Sequence, residues 1–235
     1  MTRSGWVAIG ELLPQEGQTA QNFKVMIRAV DSGANTLWTK KIGDDNKVPS
    51  KSSYSVGYSV VQGGDSLYAG VGLWQKSSSK QAPAVMALDK NTGSILWTTV
   101  LGQGQSKHGG VRSCIMDGQE IVCAGYVSSG QKGFLFVADD GKPAVWRLDS
   151  TGAVLSEKVL SVEGLGQLAK IRADPAGGFV ACSTGWSVVG GEDVNVVGVV
   201  KFSADLDIEW SQVQGTVQAP AILSYLSLEL REGWR

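Results

Sequence analysis

An all-β chain of four repeated four-stranded sheets is what the sequence predicts, and three observations predict it. The 235 residues include 31 glycines and many Ser and Val, with no long run of Ala, Glu, Lys and Leu at helical spacing. Short apolar segments are separated throughout by polar, Gly-containing turns, the pattern of hairpins. Two different sequence markers then recur with one common period, which is the mark of a repeat architecture.

The first marker is a hairpin ending in tryptophan. "RAVDSGANTLWTKKIG", "MALDKNTGSILWTTVLG", "WRLDSTGAVLSEKVLS" and "VKFSADLDIEWSQVQG" each read as strand, polar turn, strand. Their equivalent positions are Trp38, Trp97, Ser156 and Trp210, which follow one another at a nearly constant interval. The second marker lies in the hairpins between them, "SVVQGGDSLYAGV", "SCIMDGQEIVCAGY" and "KIRADPAGGFVACST", where Gly70, Gly125 and Ser183 recur at the same spacing. The unit is therefore four strands, A to D, over about 58 residues, the size of a β-propeller blade with generous loops. The predicted fold is a single β-propeller domain over residues 1–235 with four four-stranded blades.

The phase of the repeat predicts how the ring closes. The chain opens on strand B, "GWVAIGEL", whose Gly10 precedes Gly70 by one repeat, and ends on a strand A, "AILSYLSLEL". Pairing residues 221–230 with residues 5–12 would let the two ends share one blade and bury both free edges. The alternative is that the chain is a fragment of a larger propeller.

Ala87, Asp89, Thr92, Gly93 and Trp97 resemble the tryptophan-docking motif of the quinoprotein-type (PQQ-like) propeller repeats. The whole chain also resembles bacterial secreted propeller repeats carrying D, G and W marks followed by a "DGG…VAG" hairpin. The resemblance implies that Trp38, Trp97 and Trp210 each pack on the following blade, beside a turn set by Asp31, Asp89 and Gly93, or Asp149. The departures are Ser156 in place of Trp, Ser203 in place of Asp, and no Gly in the fourth unit. Quinone chemistry does not carry over, because four units are too few for the eight-bladed cofactor enzymes and their adjacent cysteine pair is missing. No cofactor and no metal is expected.

Totals narrow the function classes. Lys and Arg number 21 against 22 Asp and Glu, a net charge of −1, so no field favours nucleic acid or an anionic membrane. No apolar stretch approaches the roughly 20 residues of a spanning helix, so membrane insertion is not expected. The compartment stays unassigned. The three cysteines, Cys114, Cys123 and Cys182, form neither a metal pattern nor a disulfide framework. Cys114 and Cys123 flank one turn and face each other in one register, but are read as buried strand residues.

Motifs with enzymatic associations fit poorly. "GLGQLA", residues 164–169, matches the dinucleotide fingerprint but is followed by a strand with Pro175, not by the helix that meets a pyrophosphate. His108, the single histidine, sits in the Gly-flanked loop "GQGQSKHGG" without an orienting acid. The acid pairs at 44–45 and 139–140 and the "DKNTG" turn lack the further acids of a calcium loop.

Binding is expected elsewhere. The A–B and C–D turns are tight, whereas the B–C and D–A loops are long, so one face of the ring gathers the long loops. That face also receives Trp74 and Trp186 at the exits of strand B, and Tyr126 and His108 are counted with them. These four are the candidate binding residues, for a protein partner or larger assembly and alternatively for a glycan stacked on the tryptophans. A hydrolase is the weakest of the three readings.

Overall fold

The computed structural model describes residues 5–12, 22–43, 53–75, 80–102, 108–128, 133–134, 137–138, 141–189 and 192–216. All regular structure among them is β. The first blade holds β1 (Gly5–Leu12), β2 (Asn22–Asp31) and β3 (Thr36–Ile42), with the two-residue β4 (Ser53–Tyr54) parallel to the start of β2. The second is β5 (Val56–Gly63), β6 (Ser66–Gln75), β7 (Lys80–Asp89) and β8 (Ile95–Val100). The third begins with β9 (His108–Asp117) and β10 (Glu120–Ser128). A small hairpin of β11 (Gly133–Phe134) and β12 (Val137–Ala138) follows, then β13 (Gly141–Leu148) and β14 (Val154–Val159). The fourth is β15 (Gln167–Ala173), β16 (Phe179–Val189), β17 (Glu192–Phe202) and β18 (Ile208–Thr216). Each of the last three blades is a four-stranded antiparallel meander.

This is the four-bladed propeller architecture predicted from the repeat, with β5, β9 and β15 as the A strands. They pack side by side, β5 against β9 and β9 against β15, while β1 and β2 lean on β5. Residues 221–230, expected to complete the first blade, lie outside the described residues, as do the acid pairs at 44–45 and 139–140.

Burial follows position in the blade. Strand B of the third blade, EIVCAGYVS, is buried from Ile121 onward, because neighbouring blades cover both faces of the sheet. The outermost strands β3, β8 and β14 are exposed over much of their length. One apolar core fills each interface between successive blades. Val25, Ile27, Leu67 and Met86 lie between the first and second, Tyr68, Val85, Ile121 and Trp146 between the second and third, and Leu168, Ile171, Phe179 and Phe202 between the third and fourth.

The cysteine expectation is corrected. Cys114 and Cys123 form a disulfide, with Cα atoms 4.1 Å apart. The tight turn between Asp117 and Glu120 sets the register in which these two residues are directly opposite. The bond faces the core between the second and third blades. Cys182 is a free, buried thiol whose pKa burial pushes up.

Candidate functional site

The docking joints are built first by their turns. In the first three blades an aspartate ends strand C and its Oδ1 gathers the turn. Asp31 accepts the N–H groups of Gly33 and Asn35, Asp89 those of Asn91 and Thr92, and Asp149 those of Thr151 and Ala153. Ser203 does this in the fourth blade, its Oγ accepting the Asp207 N–H at 3.2 Å. Each turn then carries one left-handed residue, Ala34, Gly93, Gly152 and Leu206, with φ of 63°, 66°, 89° and 64°.

Two tryptophans dock as the resemblance implies. Trp38 donates from Nε1 to the Lys90 carbonyl at 3.0 Å, and Trp97 to the Ser150 carbonyl at 3.0 Å. Their rings lie where a Cβ on Gly93 or Gly152 would stand, at 2.5 Å from Trp38 and 2.8 Å from Trp97. The missing side chain is what admits the indole. At the third joint the two partners change together. Ser156 replaces Trp, and Leu206 replaces Gly and is fully buried in the core. Lys158 pairs with Asp207 at 2.5 Å and Arg147 donates to the Ala204 carbonyl, so charge and an aliphatic side chain stand in for the indole.

A second constellation lies on the inner strands, near the starts of β5, β9 and β15. Each A strand carries a bulge against strand B. Pairing passes from Gly57↔Val71 to Ser59↔Gly70, from Val111↔Gly125 to Ser113↔Ala124, and from Leu168↔Ser183 to Lys170↔Cys182. Tyr58, Arg112 and Ala169 are the extra residues. Bulges of this kind re-aim side chains and are common beside functional sites. The periodic Gly70, Gly125 and Ser183 are the residues opposite them. A Cβ on Gly125 would stand 2.0 Å from the Gly110 carbonyl oxygen, so close approach of the strands demands glycine there.

The bulges bring together side chains from several blades. The Arg112 guanidinium lies 4.9 Å over the Tyr58 ring and donates to Gln167 Oε1 at 2.8 Å, tying the second, third and fourth blades at one point. Tyr58 and Arg112 are half-buried, and Gln167 is buried. The Tyr58 hydroxyl is buried and has no well-formed hydrogen bond among the described residues. Burial pushes its pKa well above the usual phenol value, and the neighbouring Tyr126 adds to the rise. Burial likewise raises Tyr126. Both phenols are neutral groups at ordinary pH, suited to hydrogen bonding rather than to proton abstraction. Glu11, near the end of β1, is half-buried with its carboxyl pKa pushed up by burial, and its charge acts on Tyr58.

The sequence-predicted binding residues fall as follows. Tyr126 is only 3% exposed, so it is part of the wall of this constellation and not an outward contact, because neighbouring blades cover both faces of β10. Trp74 is half-buried near the end of β6, its backbone N–H donating to the buried Ser55 Oγ at 3.1 Å. His108 is corrected from loop to strand: it is the first residue of β9, paired with Ser128 because the β9–β10 ladder runs that far. Trp186 lies on β16 opposite Asn195. Sequence reading does not single out Tyr58, Arg112, Gln167 or Glu11. A signal exists, since Tyr58 and Arg112 precede the marker glycines Gly70 and Gly125 by almost the same interval.

No family model and no curated protein matches the chain. Among solved structures it is similar to the quinohemoprotein alcohol dehydrogenase of Comamonas testosteroni, with a TM-score of 0.53 at 12% identity over 88% of this chain and 37% of that one. It also aligns with Kuenenia stuttgartiensis hydrazine synthase, at a TM-score of 0.46 and 13% identity over 83% of this chain and 53% of that one. The chain thus spans well under half the length of the first. That likeness is one of fold, and it agrees with the propeller.

Proposed function

We propose that the chain is a non-catalytic binding module that engages a protein partner at the loop-rich end of its inner strands. The observation that carries this reading is the shared bulge, which sets Tyr58 and Arg112 together beside Gln167, Tyr126 and Glu11. A half-buried Arg beside an aromatic ring is the kind of group that anchors protein interfaces. Three blades hold it in place, which lowers the ordering cost of binding. The neutral phenols favour recognition over acid–base chemistry.

The test is native affinity capture on the full chain followed by hydrogen exchange of the complex. Protection is expected at Val56–Tyr58, at His108–Arg112 and around Gln167, with capture reduced in Arg112→Gln at unchanged fold. Protection confined to the outer strands β8 and β14 would refute the reading. The half-buried Trp74 at the same end supports a second reading, glycan binding. Glycan-array signal lost in Trp74→Ala would favour it.

A further inference from the structure

The A strands β5, β9 and β15 share one bulge, but a single blade adds a covalent bond beside it. The second pair past the bulge is Val60↔Ala69 in the second blade, Cys114↔Cys123 in the third and Ile171↔Ala181 in the fourth. The disulfide thus occupies a position that apolar pairs fill elsewhere. Its blade is also the one whose bulge residue contacts both neighbours among the described residues. Arg112 lies over the Tyr58 ring of the second blade and donates to Gln167 of the fourth, whereas Ala169 carries only a methyl group. The strand around Arg112 is held unevenly. It begins His108-Gly109-Gly110, where a Cβ on Gly110 would stand 2.8 Å from the Tyr58 ring and one on Gly109 2.7 Å from Pro83, so the site itself demands both glycines. Glycine loses more conformational freedom than other residues when held in a strand. Past the bulge, the ladder from Ser113↔Ala124 to Asp117↔Glu120 must fix the register by itself. A one-residue slip there would send side chains to the opposite face of the sheet.

We propose that Cys114 and Cys123 are positioning residues for the inner constellation, their bond fixing the β9–β10 register so that Arg112 keeps its contacts with Tyr58 and Gln167. Its bearing on function rests on the reading of that constellation as the binding site. The bond ties the strands two residues from Arg112, and both cysteines are buried in the core between the second and third blades, Cys123 fully. Two unbonded thiols take more room than one bonded pair, and a close-packed interior has little room to give. Without the bond β9 therefore shifts, and it shifts at the bulge, where the ladder is already interrupted. A disulfide that served only as a staple would act differently. It would raise the stability of the whole domain and leave the native geometry at Arg112 unchanged when removed.

NMR of the full chain tests the proposal in three samples: oxidised, reduced with dithiothreitol, and carrying Cys114→Ser with Cys123→Ser. On reduction the S–S bond gives two S–H groups while the dithiol closes to its own cyclic disulfide. Native-state chemical shifts do not register a uniform loss of stability, so they separate positioning from stapling. The Tyr58 ring signals and the Gln167 side-chain amide are expected to move, in both samples lacking the bond, toward their positions in Arg112→Gln. The Trp38 Nε1–H signal, from the joint between the first and second blades, is expected to stay in place. Partner capture is expected to weaken roughly ten-fold without the bond. Unmoved Tyr58 and Gln167 signals in a sample lacking the bond would overturn the proposal, as would loss of folding in both such samples. Capture unchanged in Arg112→Gln would instead overturn the binding reading, and the shifts would still decide whether the bond positions Arg112.

Discussion

Trp97 and Gly152 carry one joint, and Ser156 and Leu206 carry the next, so a single seat is filled either by an indole from outside or by a leucine from within. The sequence made Asp89, Gly93 and Trp97 legible, since turn chemistry and an aromatic anchor are local signals. Ser156 and Leu206 read as two unrelated departures from the repeat. They lie on different blades, and only the packing of one blade on the next makes them halves of one contact. The exchange predicts strong coupling. Gly152→Ala places a Cβ against the Trp97 ring at a positive φ, and is expected to cost about 2–4 kcal/mol in urea unfolding. Ser156→Trp alone is expected to destabilise, because Leu206 already occupies the space. Combined with Leu206→Gly it should be less damaging than the sum, with a coupling of about 1–3 kcal/mol in the double-mutant cycle. Strict additivity would mean that the two residues do not share a seat.

Among the elements, the strands and tight turns were readable from alternation and Gly placement, whereas the bulges were not. A bulge shifts pairing by one residue without changing composition, so Gly70, Gly125 and Ser183 were visible as a period before their cause was. The same one-residue ambiguity hid the Cys114–Cys123 bond. The outer strands show a related device: Leu37, Leu96 and Leu155 are each the extra residue against strand C, which interrupts the regular ladder just inside an exposed edge. The turn aspartates carry a pH prediction. Hydrogen bonds from Thr92 hold the Asp89 carboxyl below its usual range, those from Thr151 and Ala153 hold Asp149, and Lys201 with Ala176 holds Asp174. A folded pKa below the unfolded value of about 3.9 adds stability that is present above that pH and is lost as pH falls through the folded pKa. Thermal midpoints are therefore expected to drop below about pH 4. The double variant Asp89→Asn and Asp149→Asn should show a shallower drop, and an unchanged acid limb would show that these turns do not contribute.

At the scale of the molecule, blade number and order were legible because the repeat is printed in the chain. The inner constellation was not, because Tyr58, Arg112 and Gln167 are each about one repeat apart and meet only when three blades stand side by side. In an array of repeats, stability is set by each unit and by its contacts with its neighbours, so a residue touching two neighbours at once has leverage beyond its own blade. Arg112 is such a residue. Replacing it by alanine removes the cation from the Tyr58 ring and the partner from the buried Gln167 Oε1, an expected loss of about 1–3 kcal/mol. The distribution of the loss is the sharper test. Native-state hydrogen exchange should show protection falling together at the starts of β5, β9 and β15 if Arg112 couples three blades, and only within β9 if it serves its own strand. Because Gln167 is buried while Tyr58 as a residue is only half-buried, the fourth blade is expected to lose more protection than the second.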